Sequence, residues 1–96
     1  MEGSATAQLF LALRYENGKG VAQSSTLAAQ WYHRAALQGD RWSQNNLGVC
    51  YARGDGVPHD MAQAANWFRR AAMRGDPRAQ TNLGLCYEDG DGVPRD

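Results

Sequence analysis

The residues most able to act as nucleophiles or metal ligands are two cysteines and two histidines: Cys50, Cys86, His33 and His59. They form no cluster with the ligand spacing of a zinc site. Cys50 falls on the apolar stripe of a predicted helix, where burial disfavours the thiolate that a Cys–His catalytic pair needs. The sequence therefore predicts no catalytic residue, no metal site and no cofactor.

A run of alternating aspartates and glycines, Asp89-Gly90-Asp91-Gly92, superficially resembles the start of a calcium-binding EF-hand loop. Such a loop needs a further acid at the third ligand spacing and a bidentate glutamate at its twelfth position. Neither acid is found where the loop requires it. We therefore interpret the run as part of a turn and predict no calcium site.

Four arginines, Arg69, Arg70, Arg74 and Arg78, form a basic cluster, but the formal net charge of the chain is zero. Nucleic-acid binding would need a larger basic footprint and a net positive charge. We interpret the cluster as a solvated helix face and predict no nucleic-acid partner. The longest apolar run, 9–13, is far shorter than the ~20 residues of a membrane-spanning helix, so no membrane partner is predicted either.

The length and composition of the chain fit one small globular domain over residues 1–96, since 43% of the residues are hydrophobic and 21% are charged. The first four residues include an acid and no basic region, so they do not have the pattern of a secretory signal peptide. We therefore expect a cytoplasmic location. A signal peptide that has been removed is the alternative.

The sequence repeats with a period of 36 residues, and each unit carries a leucine, a tyrosine and a Gly-x-Gly-Val turn at the same positions. A fixed period of this length is typical of stacked helical hairpins, in which each hairpin packs on its neighbours. The sequence thus predicts an all-α fold, an α/α solenoid of about two and a half hairpins, with units at about 7–42, 43–78 and 79–96. Turn and capping signals place its five helices at roughly 5–17, 25–38, 41–53, 61–74 and 77–89.

Two positions of the repeat carry expectations about packing. Gly48 lies in the middle of a predicted helix, where glycine costs about 1 kcal/mol relative to alanine. We expect it to make room for a bulky neighbour such as Trp67. Cys50 and Cys86 occupy equivalent positions of adjacent units, and packed helices lie about 9–10 Å apart. Because a disulfide needs Cα atoms within ~7 Å, both are predicted to be buried thiols.

The second unit also matches a known repeat pattern, through Leu47-Gly48, Tyr51, Gly54, Gly56-Val57, Asp60, Ala64, Trp67-Phe68, Arg70-Ala71-Ala72 and Gly75. In this order and spacing the residues resemble the Sel-one-like repeat, a relative of the tetratricopeptide repeat, and the resemblance covers nearly the whole chain. It implies an α-solenoid whose first helices line a concave surface, in a family whose members mostly act as adaptors that hold other proteins. The first unit departs from the pattern at Ala12, Ala22 and Ser24, which indicates a slightly degenerate first repeat.

By analogy with tetratricopeptide repeats, the first helix of each unit is expected to contribute to the concave surface. The middle row of that surface, Leu13, Val49 and Leu85, is apolar in every unit. It has two interpretations, core packing and an apolar floor for a bound peptide or helix. On the second interpretation, a floor for a bound peptide, the partner-binding groove comprises Leu9, Leu13, Glu16, Asn45, Val49, Arg53, Thr81, Leu85 and Glu88, with Ala52, Asn17 and Asp89 beside them.

The resemblance implies a non-enzymatic module that binds a peptide or helix of a partner protein. A first alternative is a self-associating structural module, or a fragment of a longer scaffold. The predicted fifth helix has no hairpin partner in this sequence, so its Leu83, Gly84 and Tyr87 face is expected to be uncovered and to support a homodimer. A second alternative is a small hydrolase or β-lactam-binding protein, since some cysteine-rich bacterial members of the family bind β-lactams. Those members pair cysteines within each hairpin, whereas this sequence has one cysteine in each of its second and third units.

Overall fold

The computed structural model describes residues 3–89, and within that range it contains five α-helices and no β-strand. The predicted all-α fold is confirmed. Two helices end at Leu37 and Met73, one residue earlier than the turn signals indicated. The helices are α1 (Ala5–Asn17), α2 (Ser25–Leu37), α3 (Arg41–Arg53), α4 (Met61–Met73) and α5 (Pro77–Asp89).

Serine and aspartate side chains begin the first four helices. Ser4, Ser24, Asp40 and Asp60 each accept a hydrogen bond from the backbone N–H three residues later, at 2.8–3.1 Å. These bonds satisfy N–H groups that have no partner inside the helix. The start of each of these helices is therefore fixed by a residue within one turn of it.

The helices end in two kinds of turn. At the end of α3, Gly54 is left-handed, with φ +72°, and its N–H donates to the carbonyl of Cys50. At the end of α4, the N–H groups of Gly75 and Asp76 donate to the carbonyls of Ala72 and Ala71 in a Schellman motif. Both turns reverse the chain, so that each helix packs back on the one before it.

Each helix packs on its neighbours in sequence: α1 on α2, α2 on α3, α3 on α4 and α4 on α5. The molecule is elongated, with principal extents of 43 × 24 × 16 Å. Contacts restricted to neighbouring elements are characteristic of repeat proteins. The first helices of the second and third units are also joined, since the side-chain N–H of Asn82 donates to the side-chain oxygen of Asn45 at 3.0 Å.

The core consists of two clusters that follow the repeat. The first contains Tyr32 and Leu47 among several alanines, and the second contains Phe68 and Cys86 beside Ala64 and Ala65. Tyr32 and Phe68 occupy equivalent positions of the first and second units. The many buried alanines allow the helix backbones to approach closely, and one aromatic ring from the second helix of each hairpin fills the space between them.

Gly48 lies where α3 crosses α4. A Cβ atom at this position would be 2.6 Å from Cδ1 and Cε1 of Phe68 and 3.2 Å from the carbonyl oxygen of Ala64. The expected close approach of the two helices is therefore confirmed, but the bulky neighbour is Phe68 and not Trp67. Trp67 instead belongs to the first core cluster, and its ring meets that of His33 edge-on.

Candidate binding groove

An apolar cavity opens between α3 and α5. Its volume is about 220 Å³, and Phe68 of α4 forms its buried inner side. Leu85 is 51% exposed at its edge. The lining residues are Val49, Ala52, Arg53, Met61, Phe68, Asn82, Leu85 and Cys86. Three of the residues predicted for a partner-binding groove, Val49, Arg53 and Leu85, are thus brought together at this cavity.

A polar cavity of about 330 Å³ opens between α1 and α3. It carries two carboxylates, Glu16 and Asp55, and one guanidinium group, Arg53. Its lining residues are Glu16, Gln23, Ser25, Ala28, Asn46, Val49, Cys50, Arg53 and Asp55. Because Val49 and Arg53 line both cavities, the polar cavity and the apolar cavity adjoin.

The two cavities occupy equivalent places in successive units. Asn46, Val49 and Cys50 of the polar cavity correspond to Asn82, Leu85 and Cys86 of the apolar cavity, one period of 36 residues later. Among the side chains that the structure describes, the two cavities differ at positions where a polar residue of the first unit is replaced by an apolar one in the second. These replacements pair Glu16 with Ala52, Ser25 with Met61 and Tyr32 with Phe68. The counterparts of Arg53 and Asp55, at positions 89 and 91, lie outside that comparison.

The turn after α3 brings Asp55 to the polar cavity. Gly56 has φ +75°, and a Cβ atom there would overlap the carbonyl of Ser25, so the turn lies directly against the first residue of α2. On the other side, the side-chain N–H of Gln23 donates to the carbonyl of Glu16 at 2.9 Å. Turns from two adjacent units therefore meet at this cavity.

Five residues of the polar cavity were not identified from the sequence: Gln23, Ser25, Ala28, Asn46 and Asp55. Analogy with other helical repeats placed the groove on helices alone, whereas the structure adds the turns. The signal that could have found them is the periodic Gly56, because a glycine with this backbone conformation and contact allows one unit to approach the next closely.

The buried hydroxyl of Tyr32 lies near three residues that line the polar cavity, Glu16, Asn46 and Cys50. Tyr32 is 0% exposed, and its hydroxyl has no hydrogen-bond partner among the described residues. Burial, with the charge of nearby Glu16, raises the pKa of Tyr32 well above its usual range, while Asn46 opposes the change. The hydroxyl therefore stays protonated at neutral pH and is available as a donor.

The thiol of Cys50 also stays protonated. Burial raises its pKa to about 11, with smaller contributions from the charges of Glu16 and Asp55. A thiol with this pKa is a poor nucleophile at neutral pH. Cys50 and Cys86 are both buried, as predicted, and no disulfide joins them in the part of the chain that the structure describes.

Other candidates from the sequence have different environments. His33 and His59 are exposed. The Asp–Gly run lies outside the described residues beyond Asp89, the last residue of α5. Within residues 3–89 no three His, Cys, Asp or Glu residues are placed to hold a metal ion. No helix in that range is long and apolar enough to cross a membrane.

The remaining predicted groove residues do not line either cavity. Leu9 and Leu13 pack against the first core cluster, so core packing is the correct interpretation of the apolar row at its first position. Asn45 was expected on an open surface but is only 3% exposed, because Asn82 covers it and donates a hydrogen bond to it. Of the other four, Thr81, Glu88 and Asn17 are exposed, and the side chain of Asp89 lies outside the described part of the chain.

The expectation that Leu83 and Tyr87 are uncovered is wrong. Leu83 packs against the second core cluster, and the hydroxyl of Tyr87 accepts a hydrogen bond from the guanidinium of Arg69 at 3.2 Å. Both positions face α4, on which α5 packs. The open face of α5 contains Gly84, around which no described atom lies within 4 Å of a Cβ position, and Leu85.

The fold and its adjoining cavities between units define an α-solenoid of helical hairpin repeats. The model of the Sel1 repeat matches residues 5–40, 43–76 and 77–96. The chain therefore belongs to the Sel1 repeat family. Proteins of this family are commonly protein–protein interaction modules and are generally non-enzymatic scaffolds.

Several solved structures are similar to this chain. One is c5321, a protective antigen of uropathogenic Escherichia coli strains with an SLR fold. It is 47% identical, with a TM-score of 0.94, and the match covers 96% of this chain and 20% of that protein. A Sel1 repeat protein from Oxalobacter formigenes is 33% identical, with a TM-score of 0.96. The match covers 99% of this chain and 39% of that protein. Helicobacter pylori cysteine rich protein B is 33% identical, with a TM-score of 0.79. The match covers 82% of this chain and 59% of that protein. The chain thus spans less than two thirds of each of these proteins. Comparison with curated proteins gives no match.

Proposed function

We propose that this chain is a non-enzymatic interaction module that binds a peptide or helix of a partner protein in a groove formed by the polar cavity and the apolar cavity. The observation that carries the proposal is that Val49 and Arg53 line both cavities, so a single ligand can extend from one repeat to the next. The common role of Sel1 repeats in protein interactions supports it.

The groove offers the two kinds of contact that peptide recognition uses. In the apolar cavity, Leu85, Val49 and Met61 present side chains that a ligand can cover. Burying one large apolar side chain is worth about 1.5–3 kcal/mol. In the polar cavity, charged and hydrogen-bonding groups can fix the register of the ligand. Affinity would come mainly from the first cavity and specificity from the second.

Selection from a phage-displayed library of random dodecapeptides against the immobilised chain tests this proposal. Val49→Glu should weaken binding of the selected peptides by at least about tenfold, since it places a charge where an apolar ligand group is desolvated. Met73→Glu is the matched control, because Met73 is 81% exposed and lines neither cavity. Recovery of no peptide above background, or equal binding by Val49→Glu with unchanged helicity, would overturn the proposal.

A second candidate function, self-association, is favoured by the open face of α5. Gly84 has no neighbour within 4 Å of its Cβ position among the described residues, and Leu85 is 51% exposed. A second copy of the chain that packed there would cover apolar surface. Analytical ultracentrifugation should then show a concentration-dependent dimer that Leu85→Glu weakens, and a monomer at every concentration up to the high micromolar range would exclude it.

A further inference from the structure

We propose that the polar cavity binds the basic side chain of an arginine or lysine in the peptide that occupies the groove. This inference rests on the proposed function and names the chemistry of the ligand. It is argued from the charges at the cavity, from the buried hydroxyl near it and from the contrast with the equivalent cavity one repeat further along.

The carboxylates at the polar cavity form no ion pair with any cationic side chain of residues 3–89. Within residues 3–89 the ion pair found is that of Arg78 with Asp76, so neither Glu16 nor Asp55 forms one there. Arg53 lines the same cavity without lying within ion-pair distance of either carboxylate. Two carboxylates against one guanidinium leave the cavity with a net negative charge, which complements a cationic ligand.

The hydroxyl of Tyr32 supplies a second, independent observation. A buried hydroxyl without a partner is destabilising, and the equivalent residue of the next unit, Phe68, shows that the packing position does not need one. The hydroxyl lies near the carboxylate of Glu16 and the amide of Asn46. The Asn46 side chain is half-buried and its oxygen accepts a long hydrogen bond from Arg78, at 3.5 Å. The side chain of Glu16 is exposed, so its carboxylate is the acceptor that has room to turn toward the hydroxyl.

Tyr32 is accordingly a positioning residue. When a basic group enters the cavity and draws the Glu16 carboxylate toward it, the Tyr32 hydroxyl donates to that carboxylate and holds it in place. The exposed side chain of Glu16 has the freedom to make this movement, whereas Tyr32 is fixed in the core. Binding would thus bring a well-oriented acceptor to a hydroxyl that has no hydrogen-bond partner within residues 3–89.

An organic cation fits this cavity better than a metal ion. Calcium takes six to eight oxygen ligands, and magnesium needs near-ideal octahedral coordination, which two carboxylates on different elements do not supply. An arginine or lysine side chain brings its own N–H donors and an aliphatic stem. A cavity of about 330 Å³ has room for either.

The adjoining apolar cavity adds a spacing rule. Equivalent points on successive units are separated by roughly the distance between packed helices, about 10 Å. The ligand is therefore a peptide with a basic side chain and an apolar side chain about 10 Å apart. In an extended strand that separation corresponds to about three residues, and on one face of a helix to about seven.

The test begins with the dodecapeptide selection described above. Selected sequences should be enriched in arginine or lysine at one position. The tightest binder is then synthesised with that residue as arginine and as citrulline, which has a similar shape but no charge. Fluorescence polarisation should show a roughly tenfold to hundredfold weaker affinity for the citrulline peptide, the effect of losing a charge-assisted hydrogen bond.

Variants of the chain then show which residues recognise the charge of the arginine. Glu16→Gln and Tyr32→Phe should each reduce the preference for arginine over citrulline. Asp60→Asn should leave it unchanged, because it removes an exposed carboxylate outside both cavities and keeps a side chain that can cap α4. Tyr32→Phe is expected to fold, because the next unit has phenylalanine at the equivalent position, and thermal melting checks this.

The outcomes separate this inference from the proposed function. If peptides are selected without a basic residue, or if arginine and citrulline peptides bind equally, the inference fails while peptide binding in the groove stands. If the preference for arginine survives in both Glu16→Gln and Tyr32→Phe, the basic group binds elsewhere and the inference also fails. If no peptide is selected at all, the proposed function fails together with it.

Discussion

The two glycines inside helices of the described chain provide a matched pair of substitutions with opposite expected effects. Gly48 and Gly84 are equivalent repeat positions, and both follow a leucine in the middle of a helix. Replacing a helical glycine with alanine should gain about 1 kcal/mol in either helix, because alanine loses less backbone entropy on folding. Any difference between the two variants therefore reports the surroundings of the new methyl group.

At Gly48 those surroundings are full. The methyl group of Gly48→Ala would lie 2.6 Å from two ring carbons of Phe68, whereas carbon atoms pack best at about 3.5–4.0 Å. Phe68 is 3% exposed and so cannot swing into solvent, and the Ala64 carbonyl on the other side belongs to the backbone. Overpacking of this kind costs about 1–3 kcal/mol. At Gly84 no described atom lies within 4 Å, so this cost is absent.

Gly48→Ala is thus expected to be less stable than Gly84→Ala by about 1–3 kcal/mol, with Gly48→Leu lower still by several kcal/mol. For a chain of this size, 1 kcal/mol corresponds to about 4–8 °C in Tm. Thermal and urea denaturation followed by circular dichroism measure the difference. A Gly48→Ala protein that melts at or above the Gly84→Ala protein would refute the close contact between Gly48 and Phe68.

Two further predictions concern a turn and a helix start. Gly56→Ala should destabilise the chain more than Gly20→Ala in urea denaturation. Both glycines have positive φ, but a Cβ atom at Gly56 overlaps the Ser25 carbonyl, while one at Gly20 meets no described atom within 4 Å. Equal losses of unfolding free energy in the two variants would contradict the contact between turn and helix. Asp76 is 2% exposed, and although burial alone would raise its pKa, hydrogen bonds from Arg78 and from the N–H of Ala79 lower it below its usual value of 3.8. Its stabilising effect should therefore be complete above about pH 3.8 and be lost as the pH falls through the lower pKa of the folded state. Asp76→Asn should lower Tm at pH 7 and show a smaller decrease in stability on acidification than the parent chain; an unchanged pH profile would contradict this role.

The helices and their stacking could be predicted from the amino-acid sequence. The 36-residue period located five helices, because each begins and ends through local interactions such as the Asp60 side chain at the start of α4 and the left-handed Gly54 at the end of α3. Such signals act over three to five residues and can be read from the chain directly. The buried positions of Cys50 and Cys86 followed from the same helical spacing.

Which members of a repeated row are open to a ligand could not be predicted in this way, because it depends on the packing between units. Leu13, Val49 and Leu85 have the same register, yet the first packs against the core, the second lies between two cavities and the third is half exposed. Their exposure depends on which neighbouring helices and turns are packed against each unit, and the period is the same in all three. The polar cavity likewise joins Glu16 to Asp55 across two units, through the contact of Gly56 with Ser25. The period by itself did not place these two side chains together, because their proximity depends on how closely one repeat stacks on the next.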